Sequence, residues 1–237
     1  MSIEGENSIS QKIADLSPRK IARLAGFLYI MYFITSLIAN YFGNFVFVDA
    51  PATLNTIIVH ESLFRIGFVT SLFSVVFLLL AAWALYVLLK PVNKNLALLF
   101  LLLNLGGFVI WCLSVLNLYG SLMLLSGAEY LKVFQPDQLQ AQALLFINLY
   151  KNGSIIAQIP YGVWLFPLGY LVYKSRFLPK FLGLLLILDF FGNMSWFLQV
   201  FLLPDYKILA YPGNAISFIA EIALTAWLLI MAVKEQK

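Results

Sequence analysis

The chain has 237 residues, of which 62% are hydrophobic and only 11% are charged, and its formal net charge is +4. Soluble domains carry roughly 25% charged residues, so this composition excludes an ordinary soluble protein. The apolar runs exceed the roughly 18 to 20 residues that a helix needs to cross a bilayer. We therefore predict an all-α, polytopic membrane protein whose surroundings are the lipid bilayer. Its positive charge reflects basic cytoplasmic loops and gives no reason to expect a nucleic-acid partner.

Six transmembrane helices are predicted along the chain. Residues 1–17 are polar and are predicted to form a cytoplasmic tail, and residues 18–237 are predicted to form one six-span domain. Hydrophobic runs of sufficient length define each span. The predicted spans are residues 20–42, 61–89, 96–125, 152–173, 181–203 and 212–233.

Proline marks the beginning of two of these helices and the interior of one. Ser17-Pro18 and Gln135-Pro136-Asp137 are typical helix starts, with proline in the first turn. The second start leaves residues 137–150 as a helix outside the hydrocarbon layer or along its surface. Pro160 and Pro167 each remove a backbone hydrogen bond inside the fourth span and favour kinks there.

The distribution of basic residues predicts the orientation. With six spans, both termini lie on the same side of the membrane, and that side carries eleven of the fifteen lysines and arginines. Basic residues concentrate in cytoplasmic segments, so both termini are predicted to be cytoplasmic. The eleven are Lys12, Arg19, Lys20, Arg23, Lys90, Lys94, Lys174, Arg176, Lys180, Lys234 and Lys237.

Several motifs keep an order and spacing typical of one known family. They are Glu61-Ser62-Leu63-Phe64-Arg65-Ile66-Gly67, Phe134-Gln135-Pro136-Asp137-Gln138-Leu139-Gln140-Ala141, Gly169-Tyr170-Leu171-Val172-Tyr173-Lys174-Ser175 with Leu178-Pro179 and Gly183, and Glu221 with Leu224 and Trp227-Leu228-Leu229. From about Pro18 to Val233 the chain resembles the bacterial membrane-protein family catalogued as domain of unknown function 4386. The resemblance implies a compact multi-pass protein of the bacterial inner membrane, and it supplies no activity.

Charged residues at the start of the second span form the first candidate site. His60 is the single histidine of the chain, and Glu61 and Arg65 lie four residues apart on one helical face. Arg65 lies about 6 Å inside the outer boundary, so its head group can return to the interface. The pair either anchors the helix end or binds an anionic group through Arg65.

Glu221 favours a larger cluster. It lies nine residues beyond Pro212, about 13 Å from the same outer surface. A lone ionised carboxylate at that depth is costly and needs a partner or a proton. Among the cations on that side, Arg65 is the one that sequence position allows to reach it. We predict a Glu61–Arg65–Glu221 cluster with His60 at its rim, which binds a ligand or holds two helices in register.

Asp189 is a further intramembrane acid, about 13 Å from the cytoplasmic surface on the fifth span. Asn193 and Trp196 share its helical face. Asp189 is either a neutral acid hydrogen-bonded to a neighbouring helix, which we favour, or part of a proton or cation path with Asn193. Polar residues also line one face of the first, third and fourth spans, which favours packing and permits a shared cavity that opens outward.

The residues exclude several enzyme classes. One histidine and one cysteine cannot form the zinc sites of membrane hydrolases, and no phosphate-binding glycine loop or Gly-x-Ser-x-Gly motif is present. We therefore expect no metal, no cofactor and no catalytic residue. The favoured function is binding or transport of a small solute or lipid-like molecule at an outward-facing polar site, with the fourth helix as the moving part. The alternatives are a non-catalytic accessory or sensor protein and, third, a membrane enzyme acting on lipid.

Overall fold

A computed structural model describes residues 17–43 and 59–233 of the chain. These two segments contain α-helices and short 3₁₀ helices and no β-strand. The 3₁₀ helices, Glu129–Leu131 and Lys207–Ala210, precede the fourth and the last α-helix. In chain order the α-helices are α1 (Pro18–Gly43), α2 (Glu61–Leu89), α3 (Lys94–Leu124), α4 (Pro136–Ile156), α5 (Gln158–Val163), α6 (Leu165–Lys174), α7 (Lys180–Leu202) and α8 (Tyr211–Ile230).

Within residues 17–43 and 59–233, six helical spans are long and apolar enough to cross a membrane, which confirms the predicted all-α membrane bundle. Helices α4, α5 and α6 follow one another as a single span, Pro136–Lys174, and α8 with the 3₁₀ helix before it forms the sixth. The polar tail and most of the loop between α1 and α2 lie outside the described residues, as do three of the lysines used to predict the orientation, Lys12, Lys234 and Lys237.

The predicted helix starts are confirmed. Helix α1 begins at Pro18, and the Ser17 carbonyl accepts the Lys20 N–H at 2.8 Å. Helix α4 begins at Pro136, and the Gln138 side chain accepts the Gln135 N–H at 3.0 Å as half of a capping box. Helix α4 then continues without a break to Ile156, so residues 137–150 form the first part of the fourth span's helix.

The fourth span is interrupted where its prolines remove hydrogen bonds. Helical regularity is lost at Ala157 and at Trp164, each three residues before a proline, Pro160 or Pro167. A proline has no N–H to donate to the carbonyl four residues earlier. Helical hydrogen bonds still reach each of these two residues: the Ala157 N–H donates to the Gly153 carbonyl at 2.9 Å, and the Trp164 N–H donates to the Pro160 carbonyl at 3.1 Å.

The six spans form a closed ring in chain order. Helix α1 packs on α2, α2 on α3, and α3 on the fourth span; α5 and α6 pack on α7, α7 on α8, and α8 returns to α1. The interior of such a ring is either filled by side chains or left as a cavity. This bundle does both, in different halves.

The half that contains the start of α1 and the end of α8 is solid, and we call it the closed half. Small side chains bring helices together there, since Ala22 and Ala25 of α1 are fully buried. A Cβ atom on Gly183 of α7 would lie 2.6 Å from the Gly169 carbonyl oxygen of α6, so these backbones touch. The larger buried side chains of this half are Phe100, Leu85, Leu89, Leu168, Leu171, Leu182, Leu224 and Leu228.

Candidate functional site

The other half of the bundle encloses a cavity of about 730 Å³. Ligand pockets in proteins commonly measure about 300 to 1,000 Å³. All six spans contribute to its wall, as does Lys207 before α8. The polar and aromatic part of the wall comprises Tyr32, Ser36, Asn40, Ser71, Ser74, Trp111, Tyr150, Lys151, Ser154, Gln158, Tyr161, Trp164, Asn193, Trp196 and Glu221.

The cavity is long and ends near the middle of the bundle. On α2 its wall extends from Phe64 to Leu78, which is about 21 Å of helix. Asn40 and Lys207 are exposed residues at helix ends on the side away from the closed half, and they form its rim. Leu165 lies on the wall at the opposite end and is 1% exposed. The cavity therefore approaches the surface on one side and meets the closed half on the other.

Glu221 of α8 faces this cavity well below the rim. It lies ten residues beyond the start of α8 at Tyr211, which corresponds to about 15 Å. Within residues 17–43 and 59–233, Glu221 forms no ion pair and no side-chain hydrogen bond. The phenol group of Tyr32, also on the cavity wall, lies within electrostatic range of Glu221 and of Tyr161.

Asp189 lies behind the cavity wall and joins α7 to α8. Its side chain is fully buried. Its Oδ1 atom accepts a hydrogen bond from Asn193 Nδ2 at 2.7 Å and another from the Ser217 hydroxyl of α8. Asn193 Nδ2 also lies 3.2 Å from Ser217 Oγ, and the Asn193 side chain reaches the cavity. The hydrogen-bonded neighbour on another helix that the sequence predicted is therefore Ser217.

Two glycines explain how Ser217 reaches Asp189. A Cβ atom on Gly192 would lie 2.8 Å from the Gly213 Cα atom, so α7 and α8 touch at this point through their backbones. Asp189 precedes the contact by three residues, and Ser217 follows it by four. Because the helices run antiparallel, these two side chains meet one turn away from the contact.

The charged residues at the start of α2 lie outside the cavity. Glu61 and Arg65 pair with each other, at 2.7 Å between Arg65 Nη2 and Glu61 Oε1, and both side chains are about half exposed, at 51% and 52%. His60 is exposed, and its carbonyl accepts the Phe64 N–H at 3.0 Å. None of these three residues lines the cavity.

The predicted ion pair between Arg65 and Glu221 is therefore not formed among the described residues. The cavity-facing residues of α2 are spaced three and four apart from Phe64 onward, which makes one helical face. Arg65 is one residue further along and points about 100° away from that face. Glu61, four residues before Arg65, satisfies its guanidinium locally.

Sequence comparison assigns the chain to a family. The family described as Domain of unknown function (DUF4386) matches residues 24–232. The chain belongs to this DUF4386 family. An uncharacterized protein of Archaeoglobus fulgidus is 28% identical over 155 residues, which cover 63% of this chain and 73% of that protein. No solved structure matches the chain.

The DUF4386 bundle also brings residues to the cavity that sequence reasoning did not assign to a site. Lys151 and Lys207 line its wall, so Arg65 is not the only cation placed to approach Glu221. Trp111 and Trp164 add indole rings to the wall. A lysine inside an apolar helix, as at Lys151, was the available signal, because such residues rarely face lipid.

Proposed function

We propose that this protein binds a small solute or lipid-like molecule in the cavity between its spans. The observation that carries the proposal is Glu221, an ionisable side chain that faces a cavity of about 730 Å³ without a protein partner among the described residues. Ionisable residues inside membrane bundles are costly, and they commonly mark the path or site of a ligand. The geometry favours binding at Glu221 over binding at Arg65, which pairs with Glu61 outside the cavity.

The shape of the cavity supports binding and the loading step of transport. Its rim is at one end of the bundle, and the closed half blocks the other end. The interrupted fourth span contributes Gln158, Tyr161 and Trp164 to the wall. Broken helices beside a central site are a common feature of transporters, where they move as the site opens and closes. We propose that the segment from Ala157 to Trp164 is the moving part.

The orientation and location belong to the same proposal. The basic residues support cytoplasmic termini in the bacterial inner membrane. In that orientation the closed half lies toward the cytoplasm and the cavity opens outward. The ligand would then enter from the outer side, and Glu61, Arg65 and His60 would lie at the outer end of α2.

Cysteine labelling in intact cells tests this proposal. Glu221→Cys and Ser36→Cys place a thiol on the cavity wall, in a Cys112→Ala background that removes the single native cysteine. Leu228→Cys is the matched control, since Leu228 lies two turns beyond Glu221 on the same helix but in the closed half, at 0% exposure. We expect a membrane-impermeant maleimide to label the two cavity positions and to leave Leu228→Cys unlabelled.

The opposite outcome is equally informative. Folding of each variant is checked by size-exclusion chromatography, so that labelling of unfolded protein is not counted. If folded Glu221→Cys and Ser36→Cys react no faster than Leu228→Cys, the cavity is sealed from water on that side. The accessory or sensor role, in which the intramembrane acids are structural, then replaces the binding role.

A further inference from the structure

We propose that the ligand of this cavity carries a protonated amine, which binds the Glu221 carboxylate between aromatic rings. This inference rests on the proposed function, because it names the chemical group that the same cavity holds. Such a group can arrive on a water-soluble amine or on the headgroup of an aminophospholipid. The ammonium chemistry is common to both sources, and the experiment below distinguishes them.

The charge of the cavity wall supports a cation at Glu221. Glu221 is the one carboxylate on the described part of that wall. Of the two lysines on the wall, Lys207 lies at the rim: it precedes α8, whereas Glu221 is ten residues inside α8, about 15 Å further along. A half-buried carboxylate that faces an enclosed cavity without a partner is costly. A cationic ligand group supplies the missing counter-charge at that depth.

The aromatic rings of the wall favour an organic cation at Glu221. Trp111, Trp164, Tyr32 and Tyr161 line the same wall as Glu221. The negative face of an aromatic ring attracts an ammonium group, and tryptophan does so most strongly. A carboxylate combined with several rings is a typical site for an alkylammonium group.

The Tyr161 hydroxyl is a second, independent sign of a ligand. Tyr161 is only 8% exposed, and its hydroxyl forms no hydrogen bond within the described segments. Buried hydroxyl groups nearly always have a hydrogen-bond partner, which is a water, an ion or a bound molecule when the protein provides none. A hydroxyl oxygen accepts a hydrogen bond from an ammonium N–H or another donor, so the Tyr161 hydroxyl leaves an unused polar group on the same wall as Glu221.

Other ions fit this wall less well. A bound metal ion needs several oxygen, nitrogen or sulfur ligands, and the described residues contain no group of three or more His, Cys, Asp or Glu side chains that could hold one. An anion at the deep end would meet the Glu221 carboxylate. An anionic group would instead fit the outer part of the cavity, near Lys207.

Three probes of similar size and different charge test the inference. Protein in phosphatidylglycerol nanodiscs is titrated calorimetrically with 2-phenylethylamine, 2-phenylethanol or 3-phenylpropanoate, and empty nanodiscs give the background. We expect the amine to bind about tenfold more tightly than the alcohol, because a hydrogen bond to a charged group contributes that much. This comparison uses the unmodified protein and does not depend on a variant's folding.

Two glutamate variants test whether Glu221 causes the preference for the amine over the alcohol. Glu221→Gln keeps the shape of the side chain and removes its charge, so the amine and the alcohol are expected to bind within about twofold of each other. Glu61→Gln is the matched control, because Glu61 is an exposed carboxylate on α2 outside the cavity. It is expected to keep the full preference for the amine.

The lipid source is tested in the same nanodiscs. Replacing half of the phosphatidylglycerol by phosphatidylethanolamine is expected to raise the melting temperature of the unmodified protein and not that of Glu221→Gln if the amine is a headgroup. If only 2-phenylethylamine shows the Glu221-dependent effect, the amine comes from water. Either result supports an ammonium site at Glu221.

Three outcomes overturn the inference. They are equal affinity for all three probes with no effect of phosphatidylethanolamine, tighter binding of 3-phenylpropanoate, and an amine preference that survives Glu221→Gln. In each case the cysteine labelling described above still decides whether the cavity is accessible. A labelled cavity without amine preference leaves the proposed binding role in place and removes only the ligand class.

Discussion

Among the acids in residues 17–43 and 59–233, Asp189 is the most completely enclosed, at 0% exposure. Its Oδ1 atom accepts two hydrogen bonds, from Asn193 and Ser217, whereas Oδ2 is buried without a partner among the described residues. A carboxylate in this position would hold a negative charge in an apolar layer with one oxygen unsatisfied, which is costly. A neutral acid fits the same hydrogen bonds, because Oδ1 remains an acceptor.

We expect Asp189→Asn to remain folded. The asparagine oxygen can accept from Asn193 and Ser217 as Asp189 Oδ1 does, so the free energy of unfolding in detergent is expected to change by less than about 1 kcal/mol. Asp189→Ala leaves both donors without an acceptor and is expected to cost about 1 to 3 kcal/mol. If Asp189→Asn were as unstable as Asp189→Ala, the ionised form would be the one that the bundle requires.

At the residue scale, the sequence placed Asp189 and Glu221 on helix faces that point into the bundle. The ion pair that it predicted between Glu221 and Arg65 is not formed among the described residues. Depth follows directly from position in the helix, so Glu221 was correctly expected well below the surface. The direction in which a side chain points is harder to predict in a membrane helix. Cavity-facing Phe64 and exposed Phe73 of α2 are both apolar, so hydrophobic periodicity does not distinguish them. Arg65 was assigned to Glu221 from its depth and side alone, and hydrophobic periodicity gave no sign that it points away from the cavity.

Glycine contacts determine how closely the helices approach. At the crossing of α7 and α8, Gly192 and Gly213 let the two backbones touch, and this contact brings Ser217 to Asp189. Close approach through small residues is a general means of helix association in membranes. The polar cluster therefore depends on a glycine pair that contains no polar side chain.

Gly192→Ala is expected to destabilise the bundle although alanine is the better helix former. The new Cβ atom would meet the Gly213 backbone at 2.8 Å, so α8 must move, and overpacking of this kind costs about 1 to 3 kcal/mol. Gly106→Ala is the matched control, since its Cβ atom would meet only Pro160 Cβ at 3.7 Å. It is expected to be neutral or to stabilise by up to about 1 kcal/mol. Thermal unfolding in detergent measures both, and equal melting temperatures for the two variants would contradict the contact.

The sequence also predicted the helices better than the contacts between them. Proline at the first helical turn and hydrophobic length sufficed for the start of α1 and for the number of spans. The prolines of the fourth span correctly indicated interruptions there. The Gly192–Gly213 contact was not predictable, because an isolated glycine in an apolar run does not indicate which helix lies opposite it.

The described bundle combines a closed half, at the start of α1 and the end of α8, with a cavity at the opposite end. The direction in which the cavity opens therefore depends on the side that carries the termini. The basic residues predict that this side is the cytoplasm. Most of the loop between α1 and α2 and both terminal segments, which contribute to that prediction, lie outside the described residues.

Reporter fusions test the orientation. Green fluorescent protein fused after Lys237 is expected to fluoresce in bacterial cells, and alkaline phosphatase at the same position is expected to be inactive, because the C-terminus is predicted to be cytoplasmic. Fusion after Lys132, between α3 and α4, is expected to give the opposite pattern. Phosphatase activity at Lys237 would reverse the topology and would place the cavity on the cytoplasmic side.

The division into two halves has an electrical consequence. At about 30 Å³ per water molecule, the cavity of about 730 Å³ has room for about 24 waters. When water fills it, the membrane potential falls mainly across the closed half, because that half alone keeps a low dielectric constant.

A cation that reaches Glu221 from the open side crosses little of the field. A cation that continued through the closed half would cross most of it, at about 2.3 kcal/mol per elementary charge and 100 mV. Binding at Glu221 is therefore expected to be nearly independent of voltage, and any onward passage to be strongly dependent on it.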